Sequence, residues 1–110
     1  MNKDIQEYLQ KYPTKTVNSF IELRKLIFES VSSDIKEILW AKLPSYYSGD
    51  SFVRLIPFKD HINVEASSIM KYVDELQEYK ITPRGMLQIY YTQDIPYKVL
   101  KRVFKETIDG

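Results

Sequence analysis

The single histidine, His61, begins the run "HINVEA", and at strand spacing Asn63 and Glu65 share its face. An imidazole works as a metal ligand or general base only with partners. Glu65 lies four residues on, roughly 13 Å along a strand, so other elements would have to complete the set. A histidine that begins a strand after a turn is more often a surface or hydrogen-bonding residue. Carboxylates are the second source of metal ligands. Asp74, Glu75 and Glu78 fall three and four apart on an expected helix, where they approach one another closely enough to share a hard cation such as iron, manganese or magnesium. Lys71 and Lys80 dilute that charge, as they would on an ordinary solvated helix face. Lys80 and Arg84 flank "TPRG", with Pro second and Gly fourth as in a type I turn. Two cations beside exposed backbone donors suit a phosphate or carboxylate, yet turn chemistry alone accounts for the Pro and Gly. Finally, Trp40, Tyr46, Lys80 and Gln88 are candidates to line an aromatic, lysine-bearing ligand pocket.

Other chemistries are excluded or unsupported. The chain has no cysteine, which removes disulfides, thiolate zinc sites, cysteine-bound iron–sulfur clusters and a thiol nucleophile. Its serines sit in neither G-x-S-x-G nor S-x-x-K, so a catalytic role is not expected. Sixteen Lys/Arg against fifteen Asp/Glu give no electrostatic case for nucleic acid or an anionic membrane as partner. The amino terminus lacks the apolar stretch of a signal peptide, and no run reaches the ~18 apolar residues of a membrane span. A cytoplasmic monomer of one domain is the default expectation for 110 residues of this composition.

The elements that must position these residues follow from periodicity. Residues 3–12 read as a short helix ended by Pro13. A second helix, capped by Thr16 or Asn18 and running to Val31, presents Val17, Phe20, Ile21, Ile27, Phe28 and Val31. Asp34 followed by Glu37 predicts a third, short helix over "DIKEILWAK". After Pro44 the period becomes two: strands over 45–48 and 51–58 about a Gly49-Asp50 turn, then Lys59-Asp60 and a strand over 61–66. Ser67 or Ser68 caps a helix to Tyr79 with Ile69, Tyr72, Val73 and Leu76 inward. Residues 86–91 make a fourth strand, and a last helix opens at Asp94-Pro96 and runs to Ile108. The expectation is an α+β domain with a mostly antiparallel, four-stranded sheet: a three-strand meander plus one later strand.

Five segments in this order, "DIQEYLQKYP", "IELRKLIFESV", "EILWAKLPSYY", "PFKDHINVEAS" and "YKITPRGMLQI" followed by "DIP", resemble the YdhG-like family of small bacterial proteins, long labelled a domain of unknown function. The resemblance covers nearly the whole chain, and its most specific pieces are the His61 turn and the Lys80–Gly85–Gln88 segment. One family member, from Bacillus, is described as a frataxin-like iron chaperone, and the run Glu37-Ile38-x-Trp40 is similar to that branch. The resemblance implies an antiparallel sheet backed by helices and a non-enzymatic role. It also implies transient iron binding, with iron–sulfur or haem assembly proteins as partners.

Overall fold

The computed structural model describes residues 1–110. Asn2 opens helix α1 (Lys3–Leu9), its Oδ1 accepting the N–H groups of Asp4 and Ile5 that have no partner inside the helix. Pro13 then precedes α2 (Thr14–Ser30), and its carbonyl takes the Val17 N–H. Thr16, expected as a cap, is a buried residue inside that helix. Phe20, Leu23 and Ile27 form the buried seam, while Ile21 and Phe28 are each 39% exposed. Of the expected stripe, Phe20 and Ile27 are buried and Val17 and Val31 pack against the core, while Ile21 and Phe28 lie at its margin. Phe28 instead lies edge-on to Tyr46, under the Arg24 guanidinium.

The third helix expected over "DIKEILWAK" does not form. Residues Lys36–Trp40 are strand β1, paired antiparallel with β2 (Leu43–Ser48). Tertiary contacts override the capping pattern. The Ser32 and Ser33 N–H groups and the Ser33 hydroxyl, which a helix start would use, donate to Asp109 at the far end of the chain. The tight turn between the strands holds Ala41 and Lys42 at φ 49° and 66°, the left-handed angles of a type I′ turn, without the Gly or Asn that would announce it.

The next elements match expectation. β2 turns at Gly49-Asp50 into β3 (Ser51–Pro57), and the 58–60 turn leads to β4 (His61–Ala66). The helix expected to reach Tyr79 is only a 3₁₀ segment, Ile69–Glu75, already off helical angles at Tyr72. Its buried anchors are Ile69 and, just past its end, Leu76, while Lys71 and Tyr72 both bond Glu106. The chain must then become extended, because Lys80–Ile81 is strand β5, paired with β6 (Leu87–Tyr90). The last helix, α3, spans Tyr97–Asp109.

The fold is thus α+β with one antiparallel sheet of six strands, in the order β1-β2-β3-β4-β6-β5. The two strands beyond the expected four are the edges, β1 and β5. Alternation sends Tyr46, Val53, Leu55, Ile62, Val64 and Leu87 to one face, where they are fully buried with Phe20, Leu100, Val103 and Phe104 of the helices. The other face carries no helix. No helix of the chain is long and apolar enough to cross a membrane.

Two local devices hold this arrangement. Thr82–Gly85 is a hairpin turn: the Gly85 N–H donates to the Thr82 carbonyl at 2.8 Å, and the Thr82 N–H to Met86 at 2.8 Å. The Thr82 hydroxyl accepts the Met86 N–H, and Gly85 sits at φ 84°. Glu37 is the other. On the helix-side face of β1, its carboxylate receives the Arg24 side chain of α2 at 2.5 Å and the Asn2 backbone N–H at 2.8 Å. Burial alone would raise the Glu37 pKa, but the Arg24 and Asn2 hydrogen bonds outweigh it and hold the group below its ordinary value.

Gly85→Ala is expected to lower the unfolding free energy by about 1 kcal/mol, since the new Cβ would meet Met70 at an ordinary contact distance of 3.6 Å and the penalty comes from the positive φ. Arg84→Ala, at an exposed position, is expected to change it by less than about 0.5 kcal/mol in urea unfolding. Glu37 makes a pH signature. With its folded pKa depressed, its stabilisation is complete above the ordinary carboxylate pKa of about 4.3 and is lost as pH falls through the folded value. Glu37→Gln is expected to remove that part of the acid sensitivity and to cost about 2 kcal/mol at neutral pH, measured by urea unfolding from neutral to acid pH.

Candidate functional site

The helix-free face of the sheet is where the chain places most of its unused chemistry. At its centre is Arg54, in the middle of "FVRLIPF", 7% exposed although it lies on the open side. Register sets it between Ser45 and Glu65. Its guanidinium donates to the Ser45 hydroxyl at 3.1 Å, to the Glu65 carboxylate at 3.1 Å and to the Tyr47 hydroxyl at 2.5 Å. Its faces are covered by Phe52, 3.9 Å from the guanidinium carbon to the ring centre, and by Trp40 at 4.1 Å. Arg54 is therefore a cation hydrogen-bonded through each of its three nitrogens, and it props up three aromatic rings. Trp40, the only tryptophan, stays 49% exposed on top of it.

A second aromatic group sits across β4 and β6. Tyr91 donates its hydroxyl to the Phe58 carbonyl at 2.7 Å, with the His61 carbonyl at 2.9 Å, bracing the 58–61 turn. That turn stacks Phe58 on His61 at 4.6 Å with planes 13° apart, and Tyr90 leans on the other side at 5.4 Å. His61 Nδ1 and Asp60 Oδ1 are 2.7 Å apart, and the hydrogen bond to the imidazole draws the Asp60 pKa down. Phe58 itself is 43% exposed. Lys80 reaches over the Tyr90 ring, and Gln88 lies between Asn63 and Lys80 in register. Asn63 is nearly buried in this face, and its Oδ1 has no hydrogen-bond donor.

The expected ligand pocket of Trp40, Tyr46, Lys80 and Gln88 is not assembled. Trp40, His61, Lys80 and Gln88 do share the open face, but Trp40 and Lys80 stand on opposite edge strands, about 24 Å apart at the usual strand spacing. Tyr46 points the other way, fully buried beside Glu37, and burial followed by the Glu37 charge drives its pKa far up. The one-residue alternation decides this: Tyr46 and Tyr47 must face opposite sides. Of the expected set only Tyr46 lies on the helix side, and Arg54, Phe52 and Phe58 stand on the open face outside that set. An arginine inside an otherwise apolar strand was the available signal.

The carboxylates expected to share a metal are not gathered either. Asp74 and Glu75 belong to the 3₁₀ segment and Glu78 lies beyond it, so the helical spacing that would align them is absent. Glu75 is paired with Arg102. No three His, Asp or Glu side chains anywhere in the chain are placed to hold one metal ion. Comparison with known protein families, curated proteins and solved structures finds no match. The family resemblance therefore rests on the sequence segments that carry it.

Arg54→Ala is expected to lower the unfolding free energy by about 3 kcal/mol, because it leaves Glu65 without its partner and removes the support under three rings. Trp40 emission should shift to longer wavelength in the same variant. Arg54→Lys should restore neither, since an ammonium cannot reproduce the three-way guanidinium contacts.

Proposed function

We propose that this chain is a non-catalytic binding module that uses the helix-free face of its sheet. The observation that carries the reading is the exposure of Trp40 and Phe58, both large and both held in place by their surroundings, on a face that no helix covers. Ordered aromatics around a buried arginine have the composition of recognition surfaces, where rigid rings give contact area at little entropic cost. Catalysis draws less support. The Asp60–His61 pair is the only oriented acid–base couple of the face, and no hydroxyl donates to the imidazole to serve as nucleophile.

Iron handling, implied by the resemblance, calls for several oxygen donors converging on one ion. The chain offers dispersed carboxylates instead: Asp74 and Glu78 apart from a paired Glu75, and Asp4 and Glu7 among Lys3 and Lys11. The binding-face reading is the better supported of the two.

Two-dimensional amide NMR tests both. The purified chain is titrated in turn with anaerobic ferrous iron, a set of cytosolic metabolites, a poly-glutamate peptide and a short oligothymidylate. The expected outcome is that iron leaves Asp74, Glu75 and Glu78 unperturbed, and that at least one other probe shifts outer-face residues such as Ile38, Phe52, Asn63 and Gln88 while sparing α2 and α3. Shifts confined to the helices, or none on the face with any probe, overturn the reading. Saturable iron shifts abolished by Asp74→Asn/Glu75→Gln/Glu78→Gln would establish iron binding in its place.

A further inference from the structure

We infer that the ligand of this face is a single-stranded nucleic acid. The inference rests on the binding-face reading and concerns what the face recognises. A formal charge of +1 for the whole chain conceals how the charges are distributed. On the open face Glu65 is held by Arg54, and the Asp60 carboxylate of the 58–60 turn is hydrogen-bonded to His61. The ionised groups left without a partner there are Lys36 on β1 and Lys80 on the 80–81 strand, one at each edge of the sheet. Lys42 and Lys59, exposed in the two turns beside Trp40 and Phe58, add to the same rim, and at the Phe52 end Arg84 stands beside the exposed Asp50. Between these cations lie Trp40 and the Phe58–His61–Tyr90 stack. Local potential, not net charge, governs attraction at a surface of this size.

The type of cation separates nucleic acid from an acidic polypeptide. Carboxylates are recognised best by the fork of a free arginine; Arg54, beneath the rings, has its donors committed to Ser45, Glu65 and Tyr47, and Arg84 borders the face at Phe52 and Glu65, at the opposite end of β3 from the Phe58 stack. Lysines are point charges suited to a phosphate backbone, and flat rings on an open antiparallel sheet are platforms for unstacked bases. A second copy of this chain is disfavoured as occupant, because two such faces would oppose cation to cation.

The test uses Trp40, the only tryptophan, as the reporter. An oligothymidylate of about eight nucleotides, a length within the range bound by single modules, is expected to quench Trp40 emission saturably at low salt. The slope of log affinity against log salt should be about −1.4, the release expected when Lys36 and Lys80 each neutralise one phosphate. Anisotropy of a labelled oligothymidylate gives affinities for the variants, whose folding is checked by thermal unfolding. Lys36→Glu/Lys80→Glu should weaken binding by at least about tenfold, and Phe58→Ala by about tenfold through lost stacking. Affinity unchanged in both folded variants, or no saturable binding at low salt, overturns the inference. Binding of poly-glutamate to this face without oligothymidylate binding assigns an acidic polypeptide and overturns the inference alone. A face that responds to no probe overturns the binding-face reading with it.

Discussion

The Glu37 carboxylate is the contact on which the arrangement of layers depends. It lies at the meeting of three elements: the Asn2 cap of α1, Arg24 of α2 and the edge strand β1. A buried carboxylate is costly unless its lone pairs are filled, and here both oxygens accept from Arg24, with the Asn2 N–H adding to one of them. The same Asn2 also donates its side-chain amide to the Glu37 carbonyl, covering part of an otherwise open sheet edge. One residue thus closes an ion pair, orients a helix start and blunts an edge. Tyr46, opposite it in register, is enclosed by the consequence: its ring fills the core and its hydroxyl faces the charged pair.

With every helix committed to one face, the other face is left to water, and Arg54 makes that tolerable. Aromatic rings on an open sheet would ordinarily collapse onto one another or recruit another chain. Here Trp40 and Phe52 close on a guanidinium whose polar edges are already satisfied, so the rings are ordered while Trp40 keeps half its surface accessible. The 58–61 turn repeats the principle with stacked rings, Phe58 on His61 under the brace of the Tyr91 hydroxyl. The two clusters stand on different strands of one rigid sheet, so their separation is fixed by hydrogen-bonded register. A ligand that engages both must therefore be extended and flat.

The local rules that were legible acted over a few residues. Period-two alternation on either side of Gly49-Asp50 placed β2 and β3, the Lys59-Asp60 turn placed β4, and the α3 pattern after Pro96 placed the last helix. The Thr82–Gly85 turn was readable from Pro and Gly alone, and its geometry is that of a turn. Where two local readings competed, the choice was made elsewhere in the chain. "DIKEILWAK" carries a helix-start pattern, yet Asp109, over seventy residues away, takes the N–H groups of Ser32 and Ser33, and β2 supplies a ladder. The segment after Ser68 has helical periodicity, but its anchors on α3 and the extended Lys80–Ile81 leave room only for a 3₁₀ segment.

The candidate site divides along the same line. Residue types, alternation and turn chemistry by themselves determined an antiparallel α+β domain without thiol chemistry, and they marked Trp40, His61, Lys80 and Gln88 as residues of interest. Which face those residues share, and which tyrosine joins them, depends on the register of non-adjacent strands. Only tertiary structure put Arg54 beneath Trp40 and gave Glu75 to Arg102. The reason is physical: local preferences decide conformations a few residues at a time, whereas a charge finds its partner through space, and the partner is set by how the whole sheet is stacked against its helices.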